Sequence, residues 1–415
     1  MRKTPYRGLL LGYLAIPGLL ATVAAVNFLT DPYAIHNPRN TPNKALAKQG
    51  KDRLYKAHHV NALKPQSIIL GSSRALALSA DHPGWSAKPV YNLALPASII
   101  YEDLRYFQHA HAARPLRQTV IGLDLFMFNG LQGPYQGFSE ERLNVDRYNR
   151  PVPPSNADWV ASLLSVDALK DSYRTLFPGS KKRAGLRDPE EMRRRPGKTG
   201  PVRPRFRATE LAFMAGGGIW FPRPRNAFSL RDPADGQLTI RHYRELLALA
   251  YRDDVDLRMF ISPVHARLLE AMHATDLWPT FEHWKRLLVE VNEQEARAAG
   301  KPPLPLWDFS GYNAYTTETV PPADNAVQEM RWYRESSHYT QDLGHRILDR
   351  VLETGNDRSA GSDSFGVRLT SATIEQHLRR VRAERERYIA THAADVRDVQ
   401  ESAEQTRANR RGVVD

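Results

Sequence analysis

The stretch Ser67-Ile68-Ile69-Leu70-Gly71-Ser72-Ser73-Arg74 runs an apolar segment straight into a Gly-Ser-Ser turn. The segment reads as a buried strand, and the small and apolar residues from Ala75 to Ala80 as the opening of a helix. A serine on a sharp strand-to-helix turn carries its hydroxyl above the carboxyl ends of the strands, where open α/β sheets keep their sites. Gly71 permits the tight turn, and backbone N–H groups at the next helix start can hold an oxyanion. Ser73 is the candidate nucleophile. Alone, Ser-Ser after a strand is more often a turn or a helix cap. A second stretch, Trp332-Tyr333-Arg334-Glu335-Ser336-Ser337-His338-Tyr339, supplies what a nucleophilic serine requires. His338 offers a base to remove the proton, and Glu335 a carboxylate to orient its ring.

These two stretches resemble the first and last blocks of the SGNH/GDSL hydrolase superfamily, Gly-Asp-Ser and Asp-x-x-His. More closely, the chain resembles membrane-anchored proteobacterial SGNH-like proteins related to the alginate O-acetyltransferase group. Tyr91-Asn92-Leu93-Ala94-Leu95-Pro96, Ile121-Gly122-Leu123-Asp124, Ile261-Ser262-Pro263-Val264-His265 and Trp307-Asp308-Phe309-Ser310 carry the likeness further, over roughly residues 25–390. It implies a flavodoxin-like three-layer sandwich and acetyl-ester chemistry on a cell-envelope carbohydrate. It also implies oxyanion donors in Ser73 N–H, in the Ala94 to Ala97 backbone and in Asn92. Arg74, beside the nucleophile, is a candidate contact for substrate or oxyanion, and a membrane-bound acyl donor protein is a candidate partner.

Three departures bear on competence. Ser72 replaces the Asp before the nucleophile, and Glu335 replaces the Asp before the histidine. Asp124 stands where the superfamily has an oxyanion-hole Asn, and an ionised carboxylate there would repel an oxyanion. Two readings follow: a serine-dependent ester hydrolase or O-acyltransferase, and a catalytically inactive envelope protein that keeps the fold as a binding or scaffolding module.

The elements that must position these residues alternate. Strands are expected at Ser67–Leu70, Pro89–Leu95, Gln118–Leu125, Val255–Ile261 and Leu304–Phe309, with helices over Ser98–Ala112, Leu238–Tyr251, Leu277–Ala299 and Thr340–Leu352. Alternation of this kind calls for a parallel five-stranded sheet covered on both faces. Asp124 closes the third strand, His265 follows the fourth, and Asp308 closes the fifth, where it competes with Glu335 to orient the base. The stripe of Trp278, Phe281 and Trp284 reads as core. A long charged helix is expected from about Ser371 to Arg407, with Ile374, Leu378, Val381, Tyr388, Val396 and Val399 as its apolar stripe; the spacing leaves open whether it packs on the domain or on a partner helix.

The chain has 415 residues, 41% apolar and 25% charged, a globular composition, with no cysteine for a disulfide or thiolate metal site. No His or carboxylate spacing suggests a metal, and dinucleotide and P-loop signatures are absent, so no cofactor is expected. Gly8 to Thr30 is uncharged and follows Arg2, Lys3 and Arg7. About 20 apolar residues span a bilayer, and the preceding cations hold the N-terminus in the cytoplasm. The expectation is a single-pass anchor in a bacterial inner membrane through residues 8–30, with a periplasmic domain beyond. A signal peptide cleaved near Val23-Ala24-Ala25 is the rival reading.

The expected organisation is then an anchor (1–30), a tether (31–51), an SGNH-like domain (52–353) with an irregular insertion over about 130–235, a linker (354–370) and the charged C-terminal helix (371–415). Eleven Lys or Arg between Lys181 and Arg207 account for much of the net charge of +12. Beyond a membrane these suit anionic headgroups or an acidic polysaccharide rather than nucleic acid, or else form a solvated, mobile insertion.

Overall fold

Every residue of Ser67–Gly71 (β1) and of Gln118–Leu123 (β3) is buried, as the apolar runs around Ile69 and Ile121 require of strands covered on both faces. In this computed structural model, which describes residues 6–37, 50–153, 155–177, 201–325, 330–354 and 365–414, they lie side by side at the centre of a six-stranded sheet. The other members are Val90–Asn92 (β2), Asp256–Ile261 (β5), Leu306–Asp308 (β6) and Val367–Arg368 (β7), in the order β2-β1-β3-β5-β6-β7. The first five are mutually parallel, and β7 pairs antiparallel with β6. The sheet thus keeps the five expected parallel strands and gains a two-residue edge strand, too short to leave a period in the sequence. Ala227–Phe228 (β4) and Gly412–Val413 (β8) form a separate parallel pair.

The chain steps from β1 outward to β2, then back across β1 to β3. That reversal opens a crevice at the carboxyl ends of β1 and β3, the topological switch point of an open sheet. Ile100–Ala113 (α3), Ile240–Arg252 (α7) and Trp278–Ala299 (α9) connect the parallel strands, and Gln341–Val351 (α10) follows β6. Helices cover both faces. Tyr243 of α7 donates its hydroxyl to Met259 Sδ at 3.1 Å. The next residue along β5, Phe260, packs instead with Ile347 and Leu348 of α10. Trp278, Phe281 and Trp284 are buried, as expected of a core stripe.

The chain divides into two compact units, residues 1–64 with 137–192, and residues 65–136 with 193–415. The sheet belongs to the second. The first holds Tyr6–Thr30 (α1), Asp52–Leu63 (α2), Ala157–Leu164 (α4) and Val166–Leu176 (α5). Side chains of α1 are described from Ala15 onward, and among the described residues no helix is long and apolar enough to cross a membrane. The start of the expected tether is a packed turn. Asp31 accepts backbone N–H bonds from Ile35, His36 and Asn37 at 2.8–3.2 Å, and Tyr33 and Ile35 are buried with Tyr55 and Ala168. Residues 38–49, the basic run over 181–195 and most of the expected linker lie outside the described residues.

Two expectations within the second unit change. The C-terminal segment is not one helix but two, Ile374–Thr391 (α11) and Ala393–Arg407 (α12), broken at His392, whose backbone is non-helical. Their apolar stripe is buried and packs back on this unit, with α12 against Ala266–Ala274 (α8) and Val202–Met214 (α6). The C-terminal part of the basic insertion is α6 itself. Val202, Phe206 and Phe213 form its buried side, a spacing obscured in the sequence by intervening arginines and Pro204. Its cations are paired within the unit: Arg203 with Asp395 and Arg207 with Asp398.

Candidate active site

Gly71 ends β1 at φ +123°, and a Cβ there would lie 2.6 Å from the Gly122 carbonyl oxygen on the neighbouring strand. Only glycine fits both the angle and the space. Its N–H donates to Asp103 Oδ1 on α3 at 2.9 Å. Beyond the turn, Ser73–Ala77 is a short 3₁₀ helix rather than the start of an α-helix, capped by Ser72, whose hydroxyl accepts the Arg74 N–H. Ser73 is thereby held half-exposed at the switch point.

The Ser73 hydroxyl lies 2.7 Å from His338 Nε2. Nδ1 of the same ring bonds to Glu335 Oε1. The carboxylate is itself held by two backbone donors in its own loop, Ser337 N–H at 2.8 Å and His338 N–H at 2.9 Å. A bridge between Tyr333 and Tyr339 pinches the loop at its base. Burial alone would raise the Glu335 carboxyl, but His338, the Ser337 N–H and Thr209 outweigh it and hold the pKa down to about 2. Glu335 is ionised across the physiological range. With Nδ1–H committed to Glu335, Nε2 is left to accept a proton from the Ser73 hydroxyl, the arrangement of carboxylate, imidazole and hydroxyl that nucleophilic catalysis requires.

Arg74 and Asp124 form the buried support of this arrangement. Asp124 accepts the Ser72 hydroxyl at 2.6 Å through Oδ2 and pairs with Arg74 Nη1 through Oδ1. Arg74 also donates from Nε and Nη2 to the Ser337 hydroxyl at 3.1 and 3.0 Å, and from Nε to the Ser337 carbonyl at 3.2 Å. Its guanidinium lies 5.4 and 5.5 Å from the ring centroids of Phe126 and Phe213. The residue after Ser73 is thus tied to the residue before His338. The Asp124 charge is neutralised by Arg74, which removes the repulsion that its position in the sequence implied.

The remaining candidates sit elsewhere. Asn92 donates to the carbonyls of Ala75 and Leu78, both at 3.0 Å, and accepts from Ala94 N–H, so its amide braces the 3₁₀ turn. His265 caps α8: Nδ1 accepts from Arg267 N–H, and Nε2 donates to the Glu318 carbonyl at 2.7 Å. Burial lowers its pKa to about 4. Its backbone N–H reaches the Ser336 carbonyl at 3.0 Å, so it steadies the base loop as a neutral ring. Asp308 is fully buried among Lys285 (2.7 Å), His377 (2.8 Å) and Ser310. Burial would raise its carboxyl, but Lys285 and His377 hold it well below the usual range. Glu335, not Asp308, orients His338.

Of the Ala94 to Ala97 backbone, Ala94 N–H goes to Asn92 and Leu95 N–H to the Gly71 carbonyl, and Pro96 has none. Ala97 N–H has no partner among the described residues, and neither has Ser73 N–H. Ala97 adopts φ +51°, a left-handed conformation disfavoured for alanine by about 1 kcal/mol. Asp103 joins the two turns, accepting Gly71 N–H through one oxygen and the Ser98 hydroxyl through the other at 3.0 Å. Asp103, Ser337 and Thr209 escape a reading of the sequence. Ser337 alone had a signal, its place beside His338.

Among the described residues no group of His, Cys, Asp or Glu is arranged to hold a metal. No protein-family model matches the chain, and no curated protein matches it.

Proposed function

We propose that the chain is a serine-dependent ester hydrolase or O-acyltransferase of the SGNH-like, flavodoxin-like class. The observation that carries this is the 2.7 Å contact of Ser73 with His338, whose other nitrogen holds Glu335. The strand order supports the fold assignment, since β2-β1-β3 with two further parallel strands is the flavodoxin-like sequence. Ser73 Oγ attacks the acyl carbonyl as His338 Nε2 takes its proton. The oxyanion is received by the N–H groups of Ser73 and Ala97. The ester C–O bond breaks as His338 returns the proton to the leaving alkoxide. Water, or a sugar hydroxyl in the transferase case, then attacks the acyl-serine, with His338 again as base.

An acetylated envelope carbohydrate as substrate, and a membrane-bound protein as acyl donor, rest on the family resemblance. So does an inner-membrane anchor through residues 8–30 with the catalytic unit in the periplasm, which the uncharged run of α1 supports. The competing reading, an inactive binding module, drew on Asp124, Ser72 and Glu335 in place of Asp; of these, the Asp124 charge is compensated by Arg74. Fluorophosphonate labelling of the full chain tests the enzyme. Labelling is expected in the wild type and lost in Ser73→Ala and His338→Ala. A folded wild type that takes up no probe, and releases no acetate from acetylated glycans, leaves the binding module standing.

A further inference from the structure

Helix α5 in the smaller unit is built inside out. The face turned toward α1 and the turn after it carries polar groups: Asp171 accepts the Tyr33 hydroxyl at 2.8 Å, and Ser172 donates to Asn27 Oδ1 at 2.9 Å. The opposite face shows Val166 and Tyr173, at i and i+7, which are 65% and 64% exposed, and Phe177, just past the helix end, is 64% exposed. Helix α4 continues the pattern with Trp159, Val160 and Leu164, all exposed. Among the described residues, every exposed large hydrophobic side chain except Tyr135, Val413 and Val414 belongs to this unit. A soluble surface scatters such residues; gathered together they mark a contact site.

The surface is continuous with α1. Asn27 donates to the carbonyl of Leu163 at 2.8 Å, which locks α1 to α4. The ring of Trp159 lies 4.9 Å from His36, and His36 lies 5.4 Å from Phe28. From Phe28 and Leu29 the exposed apolar side chains run back along α1 through Leu20, Leu19 and Ile16, and the sequence from Gly8 to Thr30 holds no charge.

We infer that α4, α5 and the C-terminal end of α1 form a lipid-facing collar that lies in the interfacial layer of a bilayer. The occupant is lipid rather than protein because the patch opens into an uncharged apolar helix. Trp159 stands beside that helix's end, linked to Phe28 through His36, the position of an interfacial aromatic belt. Lys170, on the same stripe as Val166 and Tyr173, has a stem long enough to reach the headgroups. The inference rests on the membrane-anchor reading for its occupant, but not on the esterase.

The chain contains no cysteine, so single-cysteine variants report cleanly. Leu19→Cys, Leu164→Cys, Tyr173→Cys and Asp167→Cys would each carry a nitroxide, in the full chain reconstituted into phosphatidylethanolamine–phosphatidylglycerol vesicles. Collisions with oxygen (lipid-soluble) and with a nickel chelate (water-soluble) would then be compared. Labels at 164 and 173 are expected to favour oxygen several-fold, at depths of about 5–10 Å, and the label at 167 to favour nickel. If 164 and 173 behave like 167 while 19 stays in lipid, the collar is wrong and the anchor holds. If 19 also reports water, the anchor reading falls with it. Shielding of 164 and 173 from both reagents would mean a protein covers the patch, which overturns the inference. Trp159→Phe gives a second reading without a label: it should lose quenching by brominated lipid that the wild type shows.

Discussion

Arg74, which follows Ser73, donates from Nε and Nη2 to the hydroxyl of Ser337, which precedes His338. Ser73 and His338 are 265 positions apart in the chain and 2.7 Å apart in space. Their neighbours hold them there. The same guanidinium neutralises Asp124 at the end of β3, so one buried cation joins three segments at the switch point.

Arg74→Lys should therefore keep the charge and lose the register. A lysine has no planar fork and cannot serve Asp124 and Ser337 together. The rate of fluorophosphonate labelling should fall about 10²-fold, as a misplacement of about 1 Å costs, in a protein that still folds. Arg74→Ala leaves Asp124 buried and unpaired, and should cost about 3–5 kcal/mol by denaturant titration. Arg74→Ala with Asp124→Ala should recover part of that loss. An unchanged labelling rate in the lysine variant would remove Arg74 from the positioning role.

The two carboxylates that competed in the sequence should separate by experiment. Glu335→Gln should cut labelling by about 10²–10⁴-fold, because the imidazole loses the partner that fixes its tautomer. Asp308→Asn strands Lys285, a buried cation, and should destabilise the chain by about 3–5 kcal/mol. The fraction that remains folded should label at the wild-type rate. The reverse pattern would transfer the orienting role to Asp308.

At Ala97, glycine should not carry its usual penalty. Relief of the left-handed backbone gains about 1 kcal/mol or more, against about 0.5–1 kcal/mol for the added freedom of the unfolded chain. Ala97→Gly should leave the thermal midpoint unchanged or raised, with labelling intact. A clear drop in the midpoint would show that the methyl group contributes packing that outweighs the strain.

Acidification should destabilise the protein well before Glu335 titrates. Burial foremost lowers the pKa of His242 and His265 to about 4 and of His273 to about 3, from 6.5. As pH falls through 6.5 the unfolded chain binds protons that the folded chain refuses, so stability drops by up to about 1.4 kcal/mol per pH unit for each ring. Glu335 works in the next window. Its depressed pKa stabilises the fold above about 4.5, and that contribution is lost between 4.5 and 2. Calorimetry at pH 7.5 and pH 5, in buffers of different ionisation enthalpy, should show a lower midpoint at pH 5 and net proton uptake on unfolding. Equal midpoints would contradict the buried neutral histidines.

The parallel strands and the helices between them were legible in the sequence alone, as were Ser73, His338 and Glu335, which meet at the switch point. Each is written in local terms: continuous apolar runs for strands buried on both faces, three-four spacing for α7 and α9, and a Gly-Ser-Ser turn whose Gly71 has no alternative. It also carried the stripe of the C-terminal helices, though not the break at His392. How the polar residues pair was settled by the packing of distant segments. Asp124, Asn92 and Asp308 all lie at strand ends near the same edge, with His265 a few residues beyond another, and nothing local distinguishes a carboxylate that will meet Arg74 from one that will meet Lys285 and His377. Asp103 and Thr209 were invisible for the same reason, since a hydrogen bond between distant segments leaves no period. The inverted face of α5 was half legible. Its apolar residues stand in the sequence, but which side α1 would cover depended on Asn27 and Tyr33 finding Ser172 and Asp171.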